Sequence, residues 1–177
     1  MTDTLKASEQ GVLGGMLRDN AVIGDVAQIV KQEDFRHAAH QRIFAAAVAL
    51  WSDGQPVDLL TLADQLHARR EIEDVGGYAY LAGLWDAAPT AAHAEHYARH
   101  VREHSIYRGL ELVAAKILGE VKSPTGPAEH SVELAEREIF ALADAGVQGK
   151  AEPLACGVSE CFERLDARAE HRATAGA

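Results

Sequence analysis

Residues 106–142 read IYRGLELVAAKILGEVKSPTGPAEHSVELAEREIFAL, and the fold turns on this stretch. Ile106, Leu110, Val113, Ile117 and Val121 recur at intervals of four, three, four and four. That narrow stripe, close to the coiled-coil period, predicts one long helix from about residue 92 to residue 121. Gly109 and Gly119 lie inside it, at a cost of about 1 kcal/mol each relative to alanine. Ser123-Pro124-Thr125-Gly126-Pro127 turns the chain tightly. Beyond it Val132, Ala135, Ile139 and Leu142 recur at three, four and three. Two helices with matching stripes and a short connection predict an antiparallel hairpin over residues 92–145. Its seam is assigned to Ile106, Val113 and Ile117 against Val132, Ile139 and Leu142. Two helices alone bury too little apolar surface to be stable. The hairpin must therefore pack on the rest of the chain or on a second copy. Tyr107, Leu110 and Phe140 are the candidates for a subunit contact.

Working toward the N-terminus, residues 1–91 predict a globule of five short helices. Ser8 is read as the cap of the first, which carries Val12, Leu13, Met16 and Leu17. Asp19-Asn20 breaks the chain, and Val22, Ile23, Val26, Ile29 and Val30 stripe the second. Glu33-Asp34-Phe35 is a turn with an aromatic anchor. The third helix, from about His37 to Trp51, buries Ile43, Phe44, Ala47, Val48 and Trp51. Asp58 caps a fourth with Leu59, Leu62, Ala63 and Leu66, after the Asp53-Gly54-Gln55-Pro56 turn. Gly76-Gly77 precedes a fifth with Tyr78, Leu81, Leu84 and Trp85. The acidic pairs Glu33-Asp34 and Glu73-Asp74 are read as caps at positive helix ends.

Toward the C-terminus, residues 146–177 predict a linker and a last amphipathic helix. Val158, Phe162 and Leu165 lie on its apolar side and have nothing local to pack on. A tethered helix of this kind docks on a neighbouring domain or subunit, or folds back on its own hairpin. Cys156 and Cys161 are read as reduced thiols.

Composition agrees with an all-α chain. Of the 177 residues, 47% are hydrophobic and 25% charged, rich in alanine, leucine and glutamate. No apolar run reaches the roughly 18 residues of a membrane span, and the N-terminus is not a signal peptide. A cytoplasmic location with no membrane partner is expected. The net charge of −10, evenly spread, repels phosphate, so little direct binding of nucleic acid is expected.

Catalytic motifs are missing. The one Gly-Lys pair, Gly149-Lys150, has Asp144 and Ala151 where a phosphate loop needs Gly and Ser or Thr. No catalytic residue and no cofactor are therefore assigned. His96, His100 and His104 lie four apart on one helix face, a spacing able to chelate a transition metal. No HExxH sequence or distant carboxylate completes such a site. No metal is assigned, and a solvated, subunit-facing or pH-sensitive stripe is the ordinary reading.

The order of these marks resembles one family. Ser8-Glu9-Gln10-Gly11-Val12-Leu13-Gly14-Gly15-Met16-Leu17 resembles the opening helix of the N-terminal domain of DnaB-type replicative DNA helicases. Glu33-Asp34-Phe35 with His40 and Ile43-Phe44 follows in the family's order. So do Pro56-Val57-Asp58 with Thr61-Leu62 and Leu66, then Gly76-Gly77 with Tyr80-Leu81, then Tyr97-Ala98 with Val101-Arg102-Glu103. Together they cover about residues 8–145, and the tail looks like the family's linker helix. His100 and His104 depart from the pattern, standing where the family usually has an aliphatic and a basic residue.

The resemblance implies an assembly module. Such domains pair through helical hairpins, three pairs form a collar, and the collar receives the primase's helicase-binding domain. The linker helix docks on the adjacent subunit's motor domain. ATP and magnesium belong to that RecA-like motor, which this chain lacks, and the reading frame is expected to continue into it. The alternatives are a stand-alone helicase-binding regulator and a histidine-rich metal-binding protein.

Overall fold

Among the described residues, seven α-helices follow one another: α1 (Thr2–Arg18), α2 (Val22–Ile29), α3 (Ala38–Ser52), α4 (Leu59–Ala68), α5 (Gly77–Ala87), α6 (Ala94–Lys122) and α7 (Ala128–Val147). The structure is a computed structural model and describes residues 2–88 and 90–147. Short 3-10 turns at Gln32–Asp34 and Ala91–His93 complete it. Among the described residues there is no strand. The expected linker and last helix, with Val158, Phe162, Leu165, Cys156 and Cys161, lie outside the described residues.

Helix α1 is the axis of the globule, touching α2, α3, α5 and α6. Every residue from Gly11 to Leu17 is buried. A helix enclosed on all sides has no polar face to keep in water. Its glycines allow close approach: a Cβ on Gly14 would stand 2.2 Å from the Leu84 carbonyl oxygen. Helix α5 therefore packs on α1 backbone to backbone. Phe35, against Phe44 at 4.9 Å, joins Met16, Ile43, Leu62, Leu66, Leu81 and Leu84 in the core.

The local signals act as expected at several points. The Asp58 carboxylate accepts from the N–H groups of Leu60 and Thr61 and starts α4. Asn20 ties the α1–α2 turn to the loop before α4. Its amide donates to Met16 O and Val57 O, and its carbonyl accepts from Val57 N–H at 2.8 Å. Gly76 and Gly77 both take positive φ, at 95° and 70°.

Five expectations need correction. Helix α1 starts at Thr2, six residues before Ser8, and Leu5 is already in the core. Ser8 lies inside the helix, where its hydroxyl donates to Thr4 O at 3.0 Å. Trp51 and Tyr78 are exposed, at 42% and 58%. Leu50 and Ala46 take the core positions on α3 in place of Trp51, whose ring covers Gly24 instead. Asp74 pairs with Arg42 of α3 and caps nothing. Finally, the globule does not end at residue 91, because Ala94, Ala98 and Val101 of α6 are buried in its core.

Candidate interaction surface

Two carboxylates are buried in the globule, and one of them, Asp34, ties α6 to it. Asp34 is 1% exposed. Its Oδ2 accepts from Lys31 N–H at 2.8 Å, closing the turn, and its Oδ1 accepts from Arg102 at 2.6 Å. Arg108, further along α6, donates to the carbonyls of Glu33 and Asp34 at 3.1 and 3.0 Å. The turn at Gln32–Asp34 is thus clamped by two arginines from α6. Asp34 is a cap, as expected, and also half of a buried ion pair. That pairing is what makes a charge tolerable there.

Glu9 is the second buried carboxylate. Its Oε2 accepts from Nδ1 of His37 at 2.7 Å and of His40 at 2.5 Å, and its Oε1 accepts from Arg36 N–H. Burial alone pushes this carboxyl up, but the bonds from His40, Arg36 N–H and His37 outweigh it and hold it below the ordinary carboxylate value. The Tyr80 hydroxyl bonds Nε2 of His40 at 2.6 Å. Burial, with the nearby Glu9 charge, pushes the Tyr80 phenol up against an opposing bond from Gln10.

Past the clamp, α6 leaves the core. Val101 is the last fully buried residue among those described. From Arg108 to Lys122 the helix runs on for about 21 Å at 1.5 Å per residue. Helix α7 returns along it in antiparallel register. Leu142 meets Gly109, Lys116 pairs with Glu138 at 2.5 Å, and Ser131 reaches Glu120 at 3.3 Å. Glu120 also accepts from Thr125 N–H and Oγ1, holding the turn. The Thr125 bonds keep the Glu120 carboxyl below its ordinary value, and Lys116 does the same for Glu138.

The seam differs from the expected one. Gly109, Val113, Ile117 and Glu120 of α6 are half-buried, as are Ser131, Leu134, Ala135, Glu138 and Leu142 of α7. Ile106, Val132 and Ile139 are not seam residues within one chain, being 37%, 57% and 52% exposed. The reason is Gly109, which lets Leu142 approach so closely that a Cβ there would lie 2.5 Å from its Cδ1. The contact face of α6 rotates toward that gap, and the large apolar stripe turns outward.

What turns outward is continuous. Tyr107, Leu110, Leu118 and Val121 are 57%, 44%, 53% and 62% exposed. At about 100° per residue they share a flank of α6 roughly a quarter-turn from the seam. Val132 and Ile139 sit a quarter-turn from the seam on α7. Because α7 runs antiparallel, that quarter-turn brings them to the same side of the hairpin as the α6 stripe. Phe140, 73% exposed, points away from α6, and Leu112, 69% exposed, lies on its opposite side. Where this flank meets the globule, Leu5, Tyr107, Leu110 and Ala114 line a groove of about 730 Å³ rimmed by Arg36, His104, Arg108 and Glu111. Of the expected contact residues, Tyr107 and Leu110 therefore share the flank, and Phe140 stands apart. Leu118, Val121, Val132 and Ile139 were not assigned to this surface. The spacing of Tyr107, Leu110, Ala114, Leu118 and Val121 (three, four, four, three) was the available signal.

The histidine stripe is divided. Because Ser8 donates to Thr4 O, Nδ1–H of His100 donates to Ser8 Oγ at 2.8 Å. Nε2 of His100 then accepts from His104 at 3.2 Å. This pairing accommodates the polar ring of His100, which is half-buried against α1. His96 is exposed beside Tyr97 and does not join them. Among the described residues, the three ligand-type side chains that do converge are Glu9, His37 and His40. The spacing of His37 and His40, one turn apart, was their only trace in the sequence.

These features define an all-helical scaffold domain whose exposed specialisation is an apolar hairpin face. The chain belongs to the DnaB-like helicase N-terminal domain family, whose model matches residues 3–103. The replicative DNA helicase DnaB of Geobacillus stearothermophilus is 39% identical over 133 residues, which make up 75% of this chain and 29% of that protein. The chain thus spans less than a third of that relative's length. The N-terminal domain of DnaB helicase from Mycobacterium tuberculosis, known from a crystal structure, matches with a TM-score of 0.73 at 34% identity, covering 76% of this chain and 95% of that one. The N-terminal domain of Helicobacter pylori DnaB, described with its interactions with primase, shares the fold at a TM-score of 0.60 and 22% identity, covering 68% and 94%. No helix among the described residues is long and apolar enough to cross a membrane.

Proposed function

We propose that this domain is the collar and assembly module of a hexameric replicative DNA helicase. It pairs with a second copy through the hairpin flank, and pairs gather as a trimer of dimers. The observation that carries the reading is the continuous exposed apolar stripe of Tyr107, Leu110, Leu118, Val121, Val132 and Ile139. Contiguous apolar surface of this kind marks an interaction site. The clamp of Arg102 and Arg108 on the Asp34 turn supports it, because it presents the hairpin rigidly. Phe140 on the outer side of α7 serves a further subunit or the primase helicase-binding domain. In the parent protein, Val158, Phe162 and Leu165 dock on the adjacent subunit's motor domain, which supplies the ATP and magnesium chemistry of unwinding. The domain itself has no catalytic role.

Sedimentation equilibrium of the chain tests the pairing. A dimer is expected at micromolar concentration, and Leu110→Glu with Ile139→Glu is expected to give monomers of unchanged helix content. Wild-type monomers at about 100 µM, or a dimer unmoved by the double substitution, refute the flank as the pairing surface. Binding of an isolated primase helicase-binding domain, measured by interferometry, tests the second half.

A further inference from the structure

One convergence of ligand atoms in the core is not used by the assembly reading. Glu9 of α1, His37 at the start of α3 and His40 one turn further on place a carboxylate oxygen and two imidazole nitrogens within 4.8 Å of one another. Both imidazoles aim Nδ1 at the same Oε2 of Glu9, at 2.7 and 2.5 Å. Glu9 and His40 are fully buried, while the His37 side chain is 37% exposed. One side of the cluster therefore opens to water. The two inner groups are oriented from outside the triad: Glu9 Oε1 by Arg36 N–H, and His40 Nε2 by the Tyr80 hydroxyl at 2.6 Å. Metal-binding histidines are oriented in this way by a partner on the other ring nitrogen.

We infer that Glu9, His37 and His40 form a binding site for a divalent transition ion of the zinc class, with water as the fourth ligand. Two imidazole nitrogens and one carboxylate oxygen are a donor set that suits such an ion. Bonds of about 2.0–2.1 Å at tetrahedral angles place ligand atoms roughly 3.3 Å apart. The two nitrogen–oxygen distances, 2.7 and 2.5 Å, must each open by about 0.7 Å to reach that spacing. With Nδ1 on the ion, each neutral imidazole carries its proton on Nε2, and His40 donates that proton to the Tyr80 oxygen. The ion would cross-link α1 to the start of α3. The His100–His104 pair offers only two nitrogens, both from α6, and so serves as the control.

Calorimetric titration of zinc chloride into the 177-residue chain near neutral pH tests this, with thermal unfolding in parallel. One ion per chain is expected, with a raised Tm. His37→Ala and His37→Gln, at a half-exposed position, are expected to keep the helix content and lose at least about tenfold in affinity. The double variant His100→Ala, His104→Ala is expected to bind as the wild type does. The site is overturned by absence of binding at about 100 µM zinc. It is equally overturned by undiminished binding in the folded His37 variants, or by loss of binding in the His100, His104 variant.

Discussion

Gly14→Ala isolates the contact on which the globule is built. In an isolated helix alanine is better than glycine by about 1 kcal/mol, so the local expectation is stabilisation. In the fold the new Cβ stands 2.2 Å from the Leu84 carbonyl oxygen and 2.7 Å from the Ala88 Cβ. Favourable contacts between non-bonded heavy atoms lie at about 3.5 Å. The gap must therefore open by more than about an ångström, and the obstacle is the backbone of α5, not a side chain that can rotate away. Overpacking costs about 1–3 kcal/mol where neighbours can yield, and the upper end applies here. After the helix-propensity gain the net loss is about 2 kcal/mol. At about 2–4 °C per kcal/mol for a domain of this size, the Tm falls by about 4–8 °C. Urea unfolding followed by far-ultraviolet circular dichroism, with calorimetry for the Tm, measures both. Gly83→Ala in α5 is the control, since a Cβ there meets nothing within 4 Å. It is expected to gain up to about 1 kcal/mol. A Gly14→Ala protein as stable as the wild type, beside a normally behaving Gly83→Ala, would refute the backbone contact between α1 and α5.

Other consequences follow from the buried polar groups. Arg102→Met leaves the Asp34 carboxylate buried without its main partner. A loss of about 2–4 kcal/mol in urea unfolding is expected, discounted from a fully buried pair because Arg102 is 20% exposed. A change below about 0.5 kcal/mol counts against the clamp. Asn20→Ala removes three hydrogen bonds joining the α1–α2 turn to Val57 and Met16, with an expected cost of about 2 kcal/mol and faster amide exchange at Val57. Glu9 has its carboxyl held below the ordinary value of 4.5, so its ionised form adds stability that is fully present above that value. The contribution is lost as pH falls through the lowered folded value. The stability gap between wild type and Glu9→Gln should therefore hold steady above the ordinary carboxylate value of 4.5 and narrow as the pH falls below it, and a gap that stays constant under acid would contradict the bonding described.

Much of the fold was legible because it is written in local signals. Asp58, Gly76-Gly77 and Ser123-Pro124-Thr125-Gly126-Pro127 each stop or start a helix through the backbone around them, and each does so in the structure. The errors share a cause. Ser8 has the right chemistry for a cap, but burial of Leu5 carries α1 past it to Thr2. Trp51 and Tyr78 fall at helical spacing, yet the core positions nearby are filled by Leu50 and Leu81. The histidine stripe stands out in the sequence by its regular spacing. Glu9, His37 and His40 do not, because one lies on α1 and two on α3.

The hairpin marks the boundary between the two kinds of information. The sequence by itself determined that two helices pair antiparallel about the 123–127 turn, because apolar periodicity and turn chemistry are properties of neighbours along the chain. It also determined the family, through blocks whose order and spacing a single chain displays. Only the tertiary structure decided which flank of α6 faces α7. Two overlapping stripes satisfy the same three-and-four spacing, and the choice depends on how near two backbones can come. Gly109 lets Leu142 in, so the half-polar stripe ending at Glu120 becomes the seam and the more apolar one is left outside. Close packing is a property of surfaces brought together from distant parts of the chain, and no local pattern carries it.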